Sequence, residues 1–322
     1  MQCIVSIFHA ELAKILGQIF NFLLFDGFSN HCLANMVEPL RAANTLSRQR
    51  LYTWNFFSPD GHPVKSSSGL QVSPNGALQD ESGDVLVVMP SYGFVSLSTE
   101  KTAKMLRASS RRHGKIAGLD TGSWLLARAG LLDNCRATIH WDELSRFEEE
   151  FPNVETVQER FVIDGNLLTC MGAIAAFDLA SALIREDHGA LLSMEVANLL
   201  MNQDAASQYS GPLQSRDTIV NRILTLMQNN IESPMSIHSI AKTIGCSQKK
   251  VETRVRASLE TTPQALYRRL RLNLARKLAS ETDQSIAEIA SRCGYDDASA
   301  MTRAFRAEFG QTPSAIRNAS RS

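Results

Sequence analysis

Short apolar runs alternate with helical patterns through the first two-thirds of the chain. Phe20–Phe25, Trp54–Phe57, Val85–Met89 and Lys115–Leu119 read as strands. Apolar residues recur at helical spacing over Leu33–Leu46, Thr99–His113, Gly122–Ala129, Trp141–Glu150 and Ala173–Arg185, and a hairpin with its turn at Asp164-Gly165 precedes the last of these. Strand followed by helix, repeated, predicts an open and mostly parallel α/β sheet. Ligands in such sheets sit beyond the carboxyl ends of the strands, so candidate site residues should come just after strands. The helical pattern of Leu191–Met201 then gives way to Asn202-Gln-Asp-Ala-Ala-Ser-Gln-Tyr-Ser-Gly-Pro212, whose composition is that of a linker.

Beyond the linker the pattern is helical and repeats. Val255-Arg-Ala-Ser-Leu-Glu-Thr-Thr-Pro263 aligns with Phe305-Arg-Ala-Glu-Phe-Gly-Gln-Thr-Pro313, and upstream Ile240-Ala-Lys-Thr-Ile-Gly245 aligns with Ile289-Ala-Ser-Arg-Cys-Gly294. Ala241 and Ala290 allow close helix approach, and Gly245 and Gly294 supply the positive φ that ends one helix and turns the chain into the next. Each repeat is therefore a helix-turn-helix candidate. Its second helix should bury Val251 with Val255, or Met301 with Phe305, and leave the opposite face free for DNA. Thr262-Pro263 starts a long connecting helix in which Leu266, Leu270, Leu274 and Leu278 form a stripe. Such a helix would hold the two units so that their second helices enter successive major grooves roughly 34 Å apart.

Charge divides at the same place. The chain carries 33 Lys and Arg against 33 Asp and Glu, but Leu213 to Ser322 holds 17 basic and 10 acidic residues, leaving 16 basic and 23 acidic upstream. A basic C-terminal third suits a nucleic-acid partner, and the acidic remainder does not. With 322 residues, 44% hydrophobic and 20% charged, the chain has ordinary globular composition and room for two domains. No apolar run approaches the roughly 18 residues of a membrane span, and the first residues lack a basic leader and a cleavage site, so a soluble cytoplasmic protein without membrane contact is expected. Six cysteines without a CxxC pair fit a reducing compartment; Cys32 and Cys170 read as buried small hydrophobes, and no metal or cofactor is called for. The expected organisation is an extension over residues 1–18, an α/β domain over 19–201, a linker over 202–216 and an all-α domain over 217–318.

Ser285-Ile-Ala-Glu-Ile-Ala-Ser-Arg-Cys-Gly-Tyr295, Ala304-Phe-Arg306, Phe309-Gly310 and Thr312-Pro313 make the C-terminal third resemble the DNA-binding domain of AraC-type transcription regulators. The resemblance implies double-stranded promoter DNA and RNA polymerase as partners, and recognition helices within Ser247–Ser258 and Asp297–Glu308. Gln248, Lys249, Lys250 and Thr253 should project outward from the first, and Ala298, Ser299, Thr302 and Arg303 from the second. Arg303 is the leading candidate for a bidentate contact to a guanine edge, while Lys249, Lys250, Arg268 and Arg306 suit phosphates. Glu260 stands where the second repeat keeps Gly310, so the first recognition helix should end with poorer geometry.

In the α/β domain, Gly118-Leu-Asp120-Thr-Gly122 is a strand that turns abruptly into a helix, with glycines two before and two after one central residue. That spacing is the elbow of a catalytic nucleophile, but the central residue is an aspartate. The simpler alternative is that Asp120 N-caps the helix. With Ala127-Arg-Ala-Gly-Leu-Leu-Asp133, Ala137-Thr-Ile-His-Trp141 and Glu38-Pro39-Leu40, the region resembles the flavodoxin-like fold of the class I glutamine amidotransferase-like, PfpI-like superfamily, in the branch fused to AraC-type domains. The resemblance implies a cysteine at the elbow of the enzymes and an acidic residue near Glu38. A carboxylate lacks the nucleophilicity of a thiolate, so the expectation is a catalytically dead domain retained for binding, with no catalytic residue. Glu38, Asp120, Thr121, His140 and Trp141 are its candidate ligand residues, with Trp124 a further possible wall; an imidazole in His140's place is alternatively just a satisfied structural histidine. Regulators of the fused branch respond to metabolites such as arginine, glycine betaine and carnitine, which implies a small nitrogenous effector.

Three functions follow in order: a ligand-responsive transcription regulator, acting as a homodimer; a hydrolase or lyase of the amidotransferase-like fold with an attached DNA-binding module; and an architectural DNA-binding protein without effector.

Overall fold

The computed structural model describes residues 17–200 and 218–321; the extension up to residue 16 and the polar run from Asn202 to Pro212 lie outside the described residues. Contacts group the chain into two compact units, one ending at His188 and resuming at Leu192, the other containing the helices from Thr218 onward. No described helix is long and apolar enough to cross a membrane.

The first unit runs β1 (Gln18–Leu24), α1 (Asn30–Ser47) and β2 (Tyr52–Ser58), then three two-residue strands β3 (Val64–Lys65), β4 (Gln71–Val72) and β5 (Gly76–Ala77), then β6 (Gly83–Met89). It continues through α2 (Phe94–Leu97), α3 (Glu100–Ser110), β7 (His113–Leu119), α4 (Gly122–Arg128), β8 (Arg136–Ala137), a single 3-10 turn, α5 (Leu144–Glu150) and β9 (Glu155–Thr156). The hairpin β10 (Phe161–Asp164) and β11 (Leu167–Cys170) precedes α6 (Ala173–His188) and α7 (Ala190–Leu200). Seven strands form one sheet in the order β10-β11-β7-β6-β1-β2-β5, parallel throughout except for the β10–β11 hairpin.

The two-residue period of β1 sorts its side chains between two cores. Phe20, Phe22 and Leu24 face α1 and α6, packing with Met36, Leu40, Leu179 and Leu183, whereas Leu23 lies in the opposite core with Leu106, Trp124, Leu125 and Phe147 from α3, α4 and α5. Helices on both faces explain why β6 reads as a continuous apolar run rather than an alternating one. Asn21, on the second face, is only 1% exposed and is held by His113 Nε2 at 3.0 Å, while His113 Nδ1 meets the Ser109 carbonyl at 2.8 Å. That pairing corrects the helix expected over Thr99–His113. The helix stops at Ser110, and His113 already belongs to β7, its backbone in register with Gly83. The helix expected over Trp141–Glu150 likewise opens with a 3-10 turn, Trp141–Glu143, before α5 begins at Leu144.

The second unit is helical: α8 (Thr218–Asn229), α9 (Ile237–Ile244), α10 (Gln248–Leu259), α11 (Pro263–Glu281), α12 (Ile286–Arg292), α13 (Ala298–Phe309) and α14 (Pro313–Arg321). Five helix starts carry a polar cap of the kind their sequence offers. Ser236, Ser247, Thr262, Ser285 and Asp297 accept from backbone amides three residues on, and Ser285 with Glu288 closes a capping box. Val251, Val255 and Leu259 are buried along α10, and Met301 and Phe305 along α13, as the repeat predicts. The leucine stripe of α11 is less regular than a four-residue spacing implies. Leu266, Leu272, Ala275 and Leu278 are buried, but Leu270 and Leu274 are only partly covered, because a 3.6-residue turn carries a strict four-residue repeat around the helix.

Glu260 ends α10 in the left-handed conformation, φ 54°, its N–H bonded to the Arg256 carbonyl at 3.0 Å; Gly310 ends α13 the same way at φ 71°. The geometry expected to suffer is thus preserved, with the strain held by a residue that has a Cβ. Glu260→Gly should stabilise this unit by about 1 kcal/mol, measured as slowed hydrogen exchange of the α9–α11 amides. Unchanged or faster exchange would show that the Glu260 backbone carries no strain.

Candidate functional site

In the sheet order, β1 lies between β2, reached first, and β6, reached after crossing back, so the chain switches direction at β1–β6. The crevice beyond the carboxyl ends of these strands is where such a sheet binds ligands. Four loops meet there: Asp26–Ser29 after β1, Pro90–Ser91 after β6, Asp120–Thr121 after β7, and Met171–Gly172 after β11.

Asp120 sits at the elbow with φ 60°, a left-handed backbone that a non-glycine residue adopts only when its surroundings impose it. The flanking glycines show what imposes it. A Cβ on Gly122 would stand 2.2 Å from the Val88 carbonyl oxygen, and one on Gly118 would stand 2.7 Å from the Ser123 nitrogen. The start of α4 is thereby pressed against β6 and β7, and the residue between must turn sharply. Its backbone is fixed on both sides: the Asp120 N–H donates to the Cys170 carbonyl at 3.0 Å, and its carbonyl accepts from the His140 N–H at 3.1 Å. Asp120 does not cap α4. Thr121 holds the cap position and no side chain accepts there, which sets aside the simple capping alternative.

The Asp120 carboxylate instead accepts from the Ser91 hydroxyl at 2.9 Å. Ser91, itself at φ 49°, accepts in turn from the Ser29 N–H at the start of α1, 3.0 Å away. A relay from a helix N-terminus through one hydroxyl to the carboxylate results, and it favours negative charge. Burial nevertheless dominates and pushes the Asp120 carboxyl above its usual range, against the pull of Ser91 and of the His140 ring. Beneath the site Cys32 is fully buried, its thiol raised by its hydrogen bond to Cys170, by burial, and then by the charges of Cys170 and Asp120. A buried thiol held in its protonated form is not a substitute nucleophile.

The expected ligand residues separate into those that share this crevice and those that do not. His140 does: its ring lies beside Gly172, where an added Cβ would meet Cδ2 at 3.5 Å. Trp141 follows it, 66% exposed, with its ring 5.6 Å from the imidazole. Thr121 is buried and its hydroxyl donates to the Ser91 carbonyl at 2.7 Å, so it supports the Ser91 loop rather than facing a ligand. Glu38 lies further along α1, half-exposed and paired with Arg41 at 2.7 Å, and the groups acting on the Asp120 carboxyl are Ser91 and His140, not Glu38. Trp124 is no wall. It is 4% exposed and packs against Phe94, Phe147 and Phe151 in the core. Ser29, Ser91 and the exposed Tyr92 join the crevice with little sequence signal beyond Pro90-Ser91-Tyr92 directly following an apolar strand.

In the helical unit, Gln248, Lys249, Lys250 and Thr253 are exposed on α10, as are Ser299, Arg303 and Arg306 on α13 and Arg268 on α11. Gln248 spends its amide on Glu252 at 2.9 Å. Thr302 is half-buried. Ala298 is a correction: it lies three residues before Met301, one helical turn away, and packs partly against the same core instead of projecting outward. Arg256, which the repeat aligns with Arg306, is exposed in the last turn of α10, about 100° round the helix from Val255.

Comparison with known proteins agrees with both halves. Residues 22–186 match the DJ-1/PfpI family and residues 240–319 match a helix-turn-helix domain family. The chain is 36% identical to the HTH-type transcriptional regulator CdhR of Pseudomonas aeruginosa, over 93% of this chain and 91% of that protein. It is 33% identical to the HTH-type transcriptional regulator GbdR of the same species, over 92% of this chain and 83% of that one. A crystal structure of an AraC family transcriptional regulator from Pseudomonas putida superposes with a TM-score of 0.51 at 24% identity, covering 57% of this chain and all of that one. The chain belongs to the AraC-type helix-turn-helix transcriptional regulators that carry an N-terminal DJ-1/PfpI domain.

Proposed function

We propose that the α/β unit senses a small cationic or zwitterionic nitrogen metabolite, an amino acid or quaternary ammonium compound, and that its occupancy alters how the two helix-turn-helix units engage promoters of genes for that metabolite's catabolism. The observation that carries this reading is the carboxylate at a nucleophile elbow. All the architecture of that elbow is kept, with its glycines, strained φ and converging loops, yet the group it presents cannot perform acyl transfer as a thiolate does. A half-buried carboxylate that accepts one hydroxyl and has no salt-bridge partner among the described residues is suited to bind a cation. Exposed Trp141 beside His140, and exposed Tyr92 next to Ser91, offer aromatic faces at the same strand ends. On this reading the unit has no turnover of its own, and a homodimer places paired readers on paired DNA segments.

Sheared genomic DNA from the host, incubated with full-length protein at about 0.15 M salt where nonspecific phosphate contacts weaken, should yield a few enriched promoters. Genes beside them name the effector class. No enrichment, with or without candidate effectors, would overturn the regulator reading.

Asp120→Asn keeps an acceptor for Ser91 and a residue tolerant of left-handed φ, but removes the charge. The effector response should be lost while DNA binding without effector is unchanged. The same variant tests the electrostatics. A carboxyl raised on folding lets the unfolded chain ionise first, so the native carboxylate lowers stability as pH rises from the usual Asp value through the folded one. Asp120→Asn should therefore melt at a higher temperature at pH 7 and show a flatter dependence over that window. Tryptophan fluorescence follows this unit alone, since Trp54, Trp124 and Trp141 all lie in it. A full effector response in the variant would move the site elsewhere. Arg303→Ala should cost about 1–3 kcal/mol of discrimination at one base pair, read by competition with single-base operator variants, and unchanged discrimination would remove Arg303 from base readout.

A further inference from the structure

The two repeats are not held alike at their turns. At Gly245, between α9 and α10, an added Cβ would meet nothing within 4 Å. At Gly294, between α12 and α13, it would stand 2.5 Å from the Ile231 carbonyl oxygen and 2.6 Å from Pro234 Cγ. Ile231 and Pro234 belong to the loop joining α8 to α9, in the first half of the unit. The turn of the second reader is thus pressed directly on the first half.

Two residues of α11, one turn apart, clamp this junction from the other side. The Tyr267 hydroxyl donates to the Asn230 carbonyl at 2.6 Å and accepts from the Met235 N–H at 3.3 Å, closing the α8–α9 loop. Arg271 Nε donates to the Cys293 carbonyl at 2.7 Å, a second guanidinium nitrogen donates to the Gly294 carbonyl, and the guanidinium carbon lies 4.2 Å from the centre of the Tyr295 ring. Carbonyls at a helix C-terminus lack intrahelical partners and favour a cation. A planar fork bonds two of them while stacking on an aromatic face, which a lysine ammonium cannot do. Between them, Arg269 pairs with Glu308 of α13 at 3.2 Å, so the same stretch of helix also holds the end of the second recognition helix.

We infer that Arg271 is a positioning residue that locks the second reader to the first through the Gly294 turn, and that it thereby sets the spacing between the two DNA segments the protein accepts. The inference rests on the DNA-binding reading of α10 and α13. Specificity of this kind needs no contact between Arg271 and DNA. A rigid pair of helices tolerates one groove separation, whereas a hinged pair adapts to several.

The test uses full-length protein and an operator fragment recovered from genomic DNA, with its two contacted segments mapped by footprinting and then separated by one extra base pair. That insertion rotates the second segment by about a tenth of a helical turn. The parent protein should lose about tenfold or more in affinity on the insertion, the scale of a mismatched base pair. Arg271→Lys should reduce this penalty to about threefold or less, even where affinity for the native spacing also falls. Tyr267→Phe, which keeps the buried ring and removes both loop hydrogen bonds, should shift the penalty in the same direction by less. Loss of packing alone would lower affinity for both fragments equally, so a retained tenfold ratio in Arg271→Lys overturns the inference. Where Arg271→Lys does not match the helical circular dichroism of the parent, Tyr267→Phe decides by the same ratio. A parent protein that retains no genomic fragment refutes the DNA reading itself. One that retains a fragment but binds both spacings equally refutes only the lock.

Discussion

A helix cannot begin directly behind a buried parallel strand unless the backbone between them is allowed to come very close, and in the α/β unit everything at the crevice depends on that approach. Gly118 and Gly122 permit it, since a side chain at Gly122 would drive α4 away from the Val88 carbonyl of β6 and one at Gly118 would push the first turn of α4 away from β7. Once the approach is made, the residue between has no choice of conformation, and Asp120 is delivered to the carboxyl ends of β1, β6 and β7. Ser91, Cys170 and His140 then become its neighbours through backbone geometry rather than through any special property of their own. The elbow is therefore separable from the chemistry it first suggests. It is a device for presenting one side chain at a switch point, and the side chain decides whether the result is a nucleophile or a charged binding group.

The helical unit depends on an analogous constraint with a different outcome. Turns at Gly245 and Gly294 bring paired helices together over Ala241 and Ala290, both buried, so each repeat makes the same local structure from the same small residues. What differs is the environment of the second turn. It is enclosed by the α8–α9 loop and by Arg271, whereas the first is open. Internal repeats give local symmetry, and the single helix connecting them breaks it, because one copy precedes α11 and the other follows it, so the two turns meet different neighbours.

Where local chemistry decided the structure, the sequence was a sufficient guide. Strand and helix types, the hairpin at Asp164-Gly165, the helix caps and the buried positions of both recognition helices all follow from spacing and residue type. The elbow was legible for the same reason, since two glycines about one residue are a statement about backbone geometry. The surroundings of Asp120 were not. Ser29 and Ser91 are 62 residues apart, and both lie far from Asp120 in sequence; only the strand order β6-β1 puts them in line. Glu38, a carboxylate singled out by resemblance, lies further along α1 than Ser29 and pairs with Arg41. Ala298 and Thr121 show how fine the distinction is. Whether a side chain near the start of a helix faces outward is settled by its angle from the buried residues, and both lie close to the buried side.

The division of charge gives these two constraints a common purpose. With 17 basic against 10 acidic residues from Leu213 onward and 16 against 23 before it, attraction to the phosphate backbone is concentrated in the unit whose helices are shaped to read bases. An acidic α/β unit is not suited to add phosphate contacts, so on the proposed reading affinity for arbitrary DNA would be lower and base contacts from α10 and α13 would weigh more. The same excess of acid suits a site that receives a cation. On the proposed reading, long-range potential would draw a positive metabolite toward the strand ends, where a half-buried carboxylate raised above its usual range gains most from a compensating charge. Under that reading, one distribution of charge would both favour DNA contact by the helical unit over the α/β unit and make the α/β unit attractive to a cationic effector.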